Sequence, residues 1–278
     1  MSDLPPTPTP LPGVTHVIAV GAGKGGVGKS TVALLAAFGL RRKGARTALL
    51  DADVYGPSLP KLTGTEGRRL DLDESGRVRP IDADGVKVVS MGHLVGPEQA
   101  VIWRGPMAQK YVKEFLDRTD WGEIDYLFVD LPPGTGDIPL TLAQTIPLTG
   151  AVVVCTPQEV ALLDAVRALR MYQKLGVEPL GIVENMSYYV CPHCGHRDEI
   201  FSHGGAQKAA GELGVPFLGA IPLNGVVRIS GDAGRPLANF TEADPPVIAA
   251  LEDFVARLES AVSTQAAKRT PLPQVRIR

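Results

Sequence analysis

Three groupings of residues in this chain are of types and spacings that can do chemistry. The first is Gly23-Lys24-Gly25-Gly26-Val27-Gly28-Lys29-Ser30-Thr31, which fits G-x-x-x-x-G-K-[ST]. Glycines at that spacing let backbone N–H groups turn inward around phosphate oxygens, and a following helix N-terminus adds the positive end of its dipole. Lys29 then neutralises the β- and γ-phosphates, and Ser30 is placed to ligate Mg²⁺. A second lysine, Lys24, follows the first glycine of the loop. The second grouping is a pair of acidic loops, Asp51-Ala-Asp53 and Asp130-Leu-Pro-Pro-Gly-Thr-Gly-Asp137. Each follows an apolar run, where carboxylates can hold Mg²⁺-bound water and orient an attacking water. Either loop alone also fits a helix cap; beside the phosphate loop, both together complete a nucleotide site.

The third grouping is Cys191-Pro-His-Cys194-Gly-His196. A C-x-x-C pair can exchange disulfides, but that use needs a thioredoxin-like setting with the first cysteine at a helix N-terminus. Here the pair lies late in the chain and Gly195 follows it, so metal binding fits better. Tetrahedral Zn²⁺ or an iron–sulfur cluster takes four ligands, and the pair supplies two. Cys155 falls in an apolar run and is expected to be a packing residue. Two completions stay open: His193, His196 or His203 from the same chain, or the same pair from a second copy.

Those groupings need elements to hold them. His16–Val20 is an apolar run ending in glycines, Ser30–Lys43 carries apolar residues at helical spacing, and Thr47–Leu50 is apolar again. The alternation continues with strands at Val86–Val89, Tyr126–Val129, Ala151–Cys155, Leu180–Val183 and Phe217–Ile221. Helices are predicted at Met107–Leu116, Val160–Leu175 and Gln207–Leu213. Such alternation implies an α/β fold, a mostly parallel sheet flanked by helices on both faces. Leu62–Gly85 is charged and glycine-rich, a surface excursion with room for a small hairpin. The last helix, Pro246–Val262, has an apolar stripe and a net acidic polar side, which favours packing on its own domain over lying on anionic lipid.

Composition narrows the class. With 31 glycines and 24 prolines in 278 residues, the chain falls short of the low-complexity range. A net charge of −2 argues against a protein whose main task is coating nucleic acid. The N-terminus has neither a basic nor an apolar targeting region, and no run of about 18 apolar residues exists. The expectation is therefore a cytoplasmic protein with no nucleic-acid partner and no stable membrane association. Its expected organisation is a disordered Pro-rich leader over 1–13, a single ATPase domain over 14–263 and a flexible basic tail over 264–278.

The loop with its early lysine resembles the deviant phosphate loop of the MinD, ParA and nitrogenase iron protein class of P-loop NTPases. That resemblance implies that Lys24 crosses a nucleotide-sandwiched dimer to the partner's phosphates, where a cation in trans can stabilise the transferring phosphoryl group. It also implies that Asp53 positions water, that Asp51 and Asp130 support the magnesium, and that Asn185 contacts adenine; by its residue type Asn185 also suits a loop cap. From Val183 onward the resemblance narrows. Val183-Glu-Asn-Met-Ser-Tyr-Tyr-Val-Cys191-Pro-His-Cys194-Gly, Gly214-Val-Pro-Phe-Leu-Gly-Ala-Ile-Pro222 and Asp232-Ala-Gly-Arg-Pro236 resemble the Mrp/ApbC iron–sulfur cluster carrier ATPases, and Asp53-Val-Tyr-Gly-Pro-Ser58 and Trp103-Arg-Gly-Pro-Met107 add to the match. The family implies a homodimer that hydrolyses ATP slowly with Mg²⁺, bridges a labile [4Fe–4S] cluster between two Cys191/Cys194 pairs, receives it from a donor or scaffold and passes it to apoproteins. A MinD/ParA-type positioning ATPase and a nucleotide-switched zinc-binding scaffold are the competing readings.

Overall fold

The computed structural model describes residues 8–94 and 105–268. Strand β1 (Val14–Ala22) leads through the glycine loop into α1 (Lys29–Arg42) and β2 (Thr47–Asp51). A short α2 (Leu59–Leu62) opens an excursion through β3 (Asp71–Leu72), β4 (Val78–Arg79) and β5 (Ile81–Ala83) to β6 (Val86–Ser90). Then follow α3 (Gly105–Arg118), β7 (Ile124–Asp130), α4 (Asp137–Thr145), β8 (Gly150–Cys155), α5 (Glu159–Lys174) and β9 (Pro179–Val190). The chain ends with β10 (Arg197–Asp198), α6 (Gly205–Leu213), β11 (Phe217–Leu223), α7 (Gly225–Asp232) and α8 (Pro245–Lys268).

The main sheet has the order β10-β9-β8-β1-β7-β2-β6-β5, with β11 also paired to β9. Its interior strands are parallel, and β5 and β10 add antiparallel pairings. Side chains alternate along β1: Val17 and Ala19 enter the core cluster that includes α3 and α5 residues, while Ile18 and Val20 enter the cluster that includes α1 and α8 residues. The sheet is thus covered on both faces, as the apolar runs of its strands require. Helix α1 is buried continuously from Val32 to Leu40 because the sheet lies on one side of it and α8 on the other. Register brings the acidic ends together: Asp51 of β2 stands opposite Asp130 of β7, and Asp130 opposite Val20 of β1.

Most expected elements are present, and α8 packs through Val247, Leu251, Phe254, Val255, Leu258 and Val262, all buried. Among the described residues no helix is long and apolar enough to cross a membrane. Several expectations need correcting. Helix α8 runs to Lys268, so 264–268 are helical and not part of a flexible tail. Within the supposed leader, Leu11 is buried in the core and the Thr9 amide donates to the Thr145 carbonyl at 3.0 Å. Helices α4 and α7 were not anticipated, and β9 continues seven residues beyond Val183. The leader's residues 1–7, Trp103-Arg104 and the tail cations Arg269, Arg276 and Arg278 lie outside the described residues.

Candidate functional site

The glycine loop runs from the carboxyl end of β1 to the first turn of α1, with Gly26 and Gly28 at φ +79° and +80°. A side chain at Gly28 would be strained twice. Beyond the left-handed backbone, its Cβ would fall 2.2 Å from Nδ2 of Asn185. The loop lines a cavity of about 300 Å³ with Lys24, Lys29, Ser30, Thr31 and Asp53 on its wall. An adjoining cavity of about 520 Å³ is bounded by Asp53, Tyr55, Pro133 and Asp137. Asp53 is common to both, and the two acidic loops therefore meet at the phosphate loop.

The charges at this junction are few and close. The Lys29 ammonium donates to Asp130 Oδ1 at 2.5 Å and to Ser30 Oγ at 3.4 Å, and lies 3.7 Å from Asp53 Oδ2. Lys29 is 7% exposed and Asp130 fully buried. Burial raises the Asp130 pKa above the usual carboxylate value, with the Lys29 charge opposing it. Asp53 is raised for the same reason and is likewise opposed by Lys29. Burial also raises Asp51, with the Asp130 charge adding to it.

Asp51 and Asp130 differ in what they can still bind. Asp51 Oδ1 accepts from the Asp53 amide at 3.1 Å, and its Oδ2 accepts from the Leu59 amide at 3.1 Å and the Ser90 hydroxyl at 3.0 Å. Asp51 thereby fixes the loop that carries Asp53 and the start of α2. By contrast, Asp130 Oδ2 is buried with no hydrogen-bond partner among the described residues. A buried oxygen left bare is costly unless a ligand, ion or water completes it. Both oxygens of Asp51 thus already accept hydrogen bonds, whereas Asp130 Oδ2 and the Ser30 hydroxyl are oxygen donors of the kind that Mg²⁺ takes.

Asn185 is not in a loop. It is a buried residue within β9, and its Nδ2 donates to the Val27 carbonyl at 2.8 Å, so its carboxamide abuts the phosphate loop from behind. Lys24 is half-buried on the cavity wall and forms no ion pair among the described residues.

The two cysteines sit at the tip of a hairpin between β9 and β10. Val190 pairs with Arg197, the Cys191 amide donates to the His196 carbonyl at 2.9 Å, and the Gly195 amide donates to the Cys191 carbonyl at 2.9 Å. Gly195 turns the chain at φ +70°. Backbone N–H groups of Cys194 and His193 hydrogen-bond the Cys191 sulfur and lower its pKa, which favours the thiolate. Cys194 is exposed. Among the described residues no three His, Cys, Asp or Glu side chains gather as a metal site. His203 does not turn to the cysteines; its Nδ1 meets Ser187 Oγ at 2.7 Å and its Nε2 meets Arg197 at 2.9 Å. Cys155 is buried in β8, and burial pushes its thiol to about 12.

Sequence reasoning missed one cluster outright. Glu184, fully buried on β9, accepts from Ser187 Oγ at 2.6 Å and from the amides of Gly204 and Ala206 at 3.1 and 2.9 Å, which caps the start of α6. The available signal was an acid placed directly after an apolar strand, with Gly204-Gly205 opening a helix twenty residues on.

Known proteins resemble this chain in sequence and fold. Residues 13–259 match the model of a ParA family described as "NUBPL iron-transfer P-loop NTPase". An iron–sulfur cluster carrier protein of Deinococcus radiodurans is 53% identical over 226 residues, which cover 81% of this chain and 64% of that protein. A nucleotide-binding protein of Archaeoglobus fulgidus, solved in complex with ADP, superposes with a TM-score of 0.73 at 39% identity over 81% of this chain and 89% of its own. The cell-division ATPase MinD of Pyrococcus furiosus shares the fold, with a TM-score of 0.64 at 21% identity over 88% of this chain and 98% of its own. The chain spans under two thirds of the length of the bacterial carrier proteins it matches.

Proposed function

The chain belongs to the Mrp/ApbC iron–sulfur carrier branch of the ParA/MinD class of P-loop NTPases, and on that premise we propose that it is an ATPase that carries a [4Fe–4S] cluster as cargo between two copies of itself and delivers it to apoproteins. One observation carries the cargo site: Cys191 and Cys194 share one exposed hairpin tip, and no further ligand gathers beside them among the described residues. A cluster needs four ligands, and a second copy supplies the missing two. The same dimer would let Lys24, which has no ion pair among the described residues of its own chain, reach the partner's nucleotide. A reducing compartment such as the cytoplasm keeps such thiols free.

For hydrolysis the residues divide the work as follows. Lys29, held on Asp130 and Asp53, meets the β- and γ-phosphates of ATP. Ser30 and Asp130 would hold Mg²⁺, which would supply Lewis-acid neutralisation of phosphate oxygens. Asp53 orients a water whose oxygen attacks the γ-phosphorus, and the bond from that phosphorus to the β–γ bridging oxygen breaks to leave ADP and phosphate. Asp51 holds the Asp53 loop in place, and Asn185 braces the phosphate loop from β9.

Anaerobic reconstitution with iron and sulfide tests the reading. The wild type should take up about four irons per two chains, and the Cys191→Ala/Cys194→Ala variant none. Zinc alone on those thiols would favour a nucleotide-switched scaffold, and a cluster retained by the double variant would remove the proposed site.

A further inference from the structure

Strand β9 touches both functional regions. Near its middle Asn185 donates to the Val27 carbonyl, and Met186 Cε lies 3.7 Å from the point where a Gly28 side chain would begin. At its end Cys191 follows Val190 directly, about 20 Å further along if the strand is extended. A displacement of residues 27–28 toward β9 would press on Asn185 and Met186, and one away from it would break the Asn185–Val27 hydrogen bond.

The strand between these points is irregular. Met186 has φ +54°, a left-handed conformation that is strained for a non-glycine residue. Ile221 of β11 pairs with Asn185 and Leu223 with Tyr189, so four steps of β9 stand against two of β11. A bulge of this kind re-aims the side chains that follow it.

A polar network is built on that bulge. The Ser187 hydroxyl donates to the buried Glu184 carboxylate at 2.6 Å, and the same carboxylate caps α6. His203 bridges outward. Arginine has donors only, so His203 Nε2 must accept from Arg197 and its proton sits on Nδ1, facing Ser187 Oγ at 2.7 Å and Glu184 Oε1 at 3.4 Å. Arg197 is the β10 residue paired with Val190 at the base of the cysteine turn, and its guanidinium lies 3.9 Å from the centre of the Tyr188 ring. Sequence neighbours of the cysteines are thereby fastened to the bulge, and the bulge to the phosphate loop.

From this arrangement we infer that Ser187, Glu184, His203 and Arg197 are positioning residues that transmit occupancy of the phosphate loop, through Asn185 and the β9 bulge, to the Cys191/Cys194 turn. Nucleotide can do this if it favours one arrangement of residues 27–28 over another, because only a differential affinity shifts a population. The inference rests on the proposed function for its biological meaning, but its test does not need a cluster.

The test is the rate at which a disulfide reagent modifies the thiols of the intact, metal-free chain under anaerobic conditions, with and without magnesium and a non-hydrolysable ATP analogue. Cys155 is buried and stays silent, so the signal belongs to Cys191 and Cys194. Nucleotide should change the wild-type rate about fivefold or more, the lower range of allosteric coupling. In Arg197→Ala, a surface change, and in His203→Gln, that ratio should fall below about twofold while nucleotide affinity is retained. A wild-type ratio near one, or a full ratio in Arg197→Ala, overturns the inference. A chain with nucleotide-dependent thiols that takes no cluster would keep the coupling and lose the carrier reading; a cluster-binding chain with indifferent thiols would do the reverse.

Discussion

Removal of the Lys29 ammonium, as in Lys29→Met, should unfold the nucleotide-free protein more easily, and by an amount the geometry sets. The lysine is 7% exposed and lies 2.5 Å from the fully buried Asp130 carboxylate, whose other oxygen has no partner among the described residues. Taking one partner from such a pair strands a buried charge, a loss of about 3–5 kcal/mol. For a chain of this length that lowers the midpoint by about 6–20 °C. The loss should depend on pH. Burial already raises the Asp130 pKa and Lys29 opposes that rise, so the variant carries a folded value further above the unfolded value of about 3.9. A raised carboxylate gives stability that is present below the unfolded value and lost as pH rises through the folded one. The deficit of Lys29→Met should therefore shrink as the pH is lowered from neutrality toward the unfolded carboxylate range. Lys29→Met/Asp130→Asn should recover most of it at neutral pH. The assay is thermal or denaturant unfolding without nucleotide; a variant as stable as wild type at neutral pH, or a deficit that grows on acidification, would refute the reasoning.

Lys24→Ala should lower ATP turnover by about 10³-fold or more, as loss of a trans-acting cation does, while nucleotide binding persists; steady-state kinetics with a binding titration checks it, and unchanged turnover would remove the trans role. Gly39→Ala should destabilise by about 1–3 kcal/mol in spite of alanine's better helix propensity, because its Cβ would fall 2.3 Å from Val255 Cγ2 on α8. Adding Val255→Ala to that variant should recover stability in the same denaturant titration. Thiol titration of the native, metal-free chain should count Cys191 and Cys194 promptly and Cys155 only after unfolding, since burial holds Cys155 near 12; prompt modification of Cys155 would contradict its placement in the core.

Legibility of the fold tracked how much of each element's logic is local. The apolar strands Tyr126–Val129 and Ala151–Cys155 and the phosphate loop were readable because buried parallel strands and glycine-rich turns carry their own signatures. Helix α7 was not, since Gly225-Val-Val-Arg-Ile-Ser-Gly is poor in helix formers; Asn224 starts it by accepting from the Val226 amide at 2.8 Å. Helix α4 hides behind Pro139, which a first turn tolerates. The second half of β9 is polar, and its buried Glu184, Asn185 and Ser187 find partners in the phosphate loop, in His203 and at the start of α6, contacts no single-chain periodicity reports. At the site, spacing singled out the carboxylates and the cysteine pair as candidates. It could not separate Asp51, whose oxygens are taken by its own loop, from Asp130, whose second oxygen is bare.

Native mass spectrometry of the anaerobically reconstituted protein tests the central claim most directly. A species of two chains plus one [4Fe–4S] cluster is expected, lost together with the dimer-bound iron in Cys191→Ala/Cys194→Ala. A cluster held by a single chain, or a dimer that carries no iron and sulfide, would contradict it.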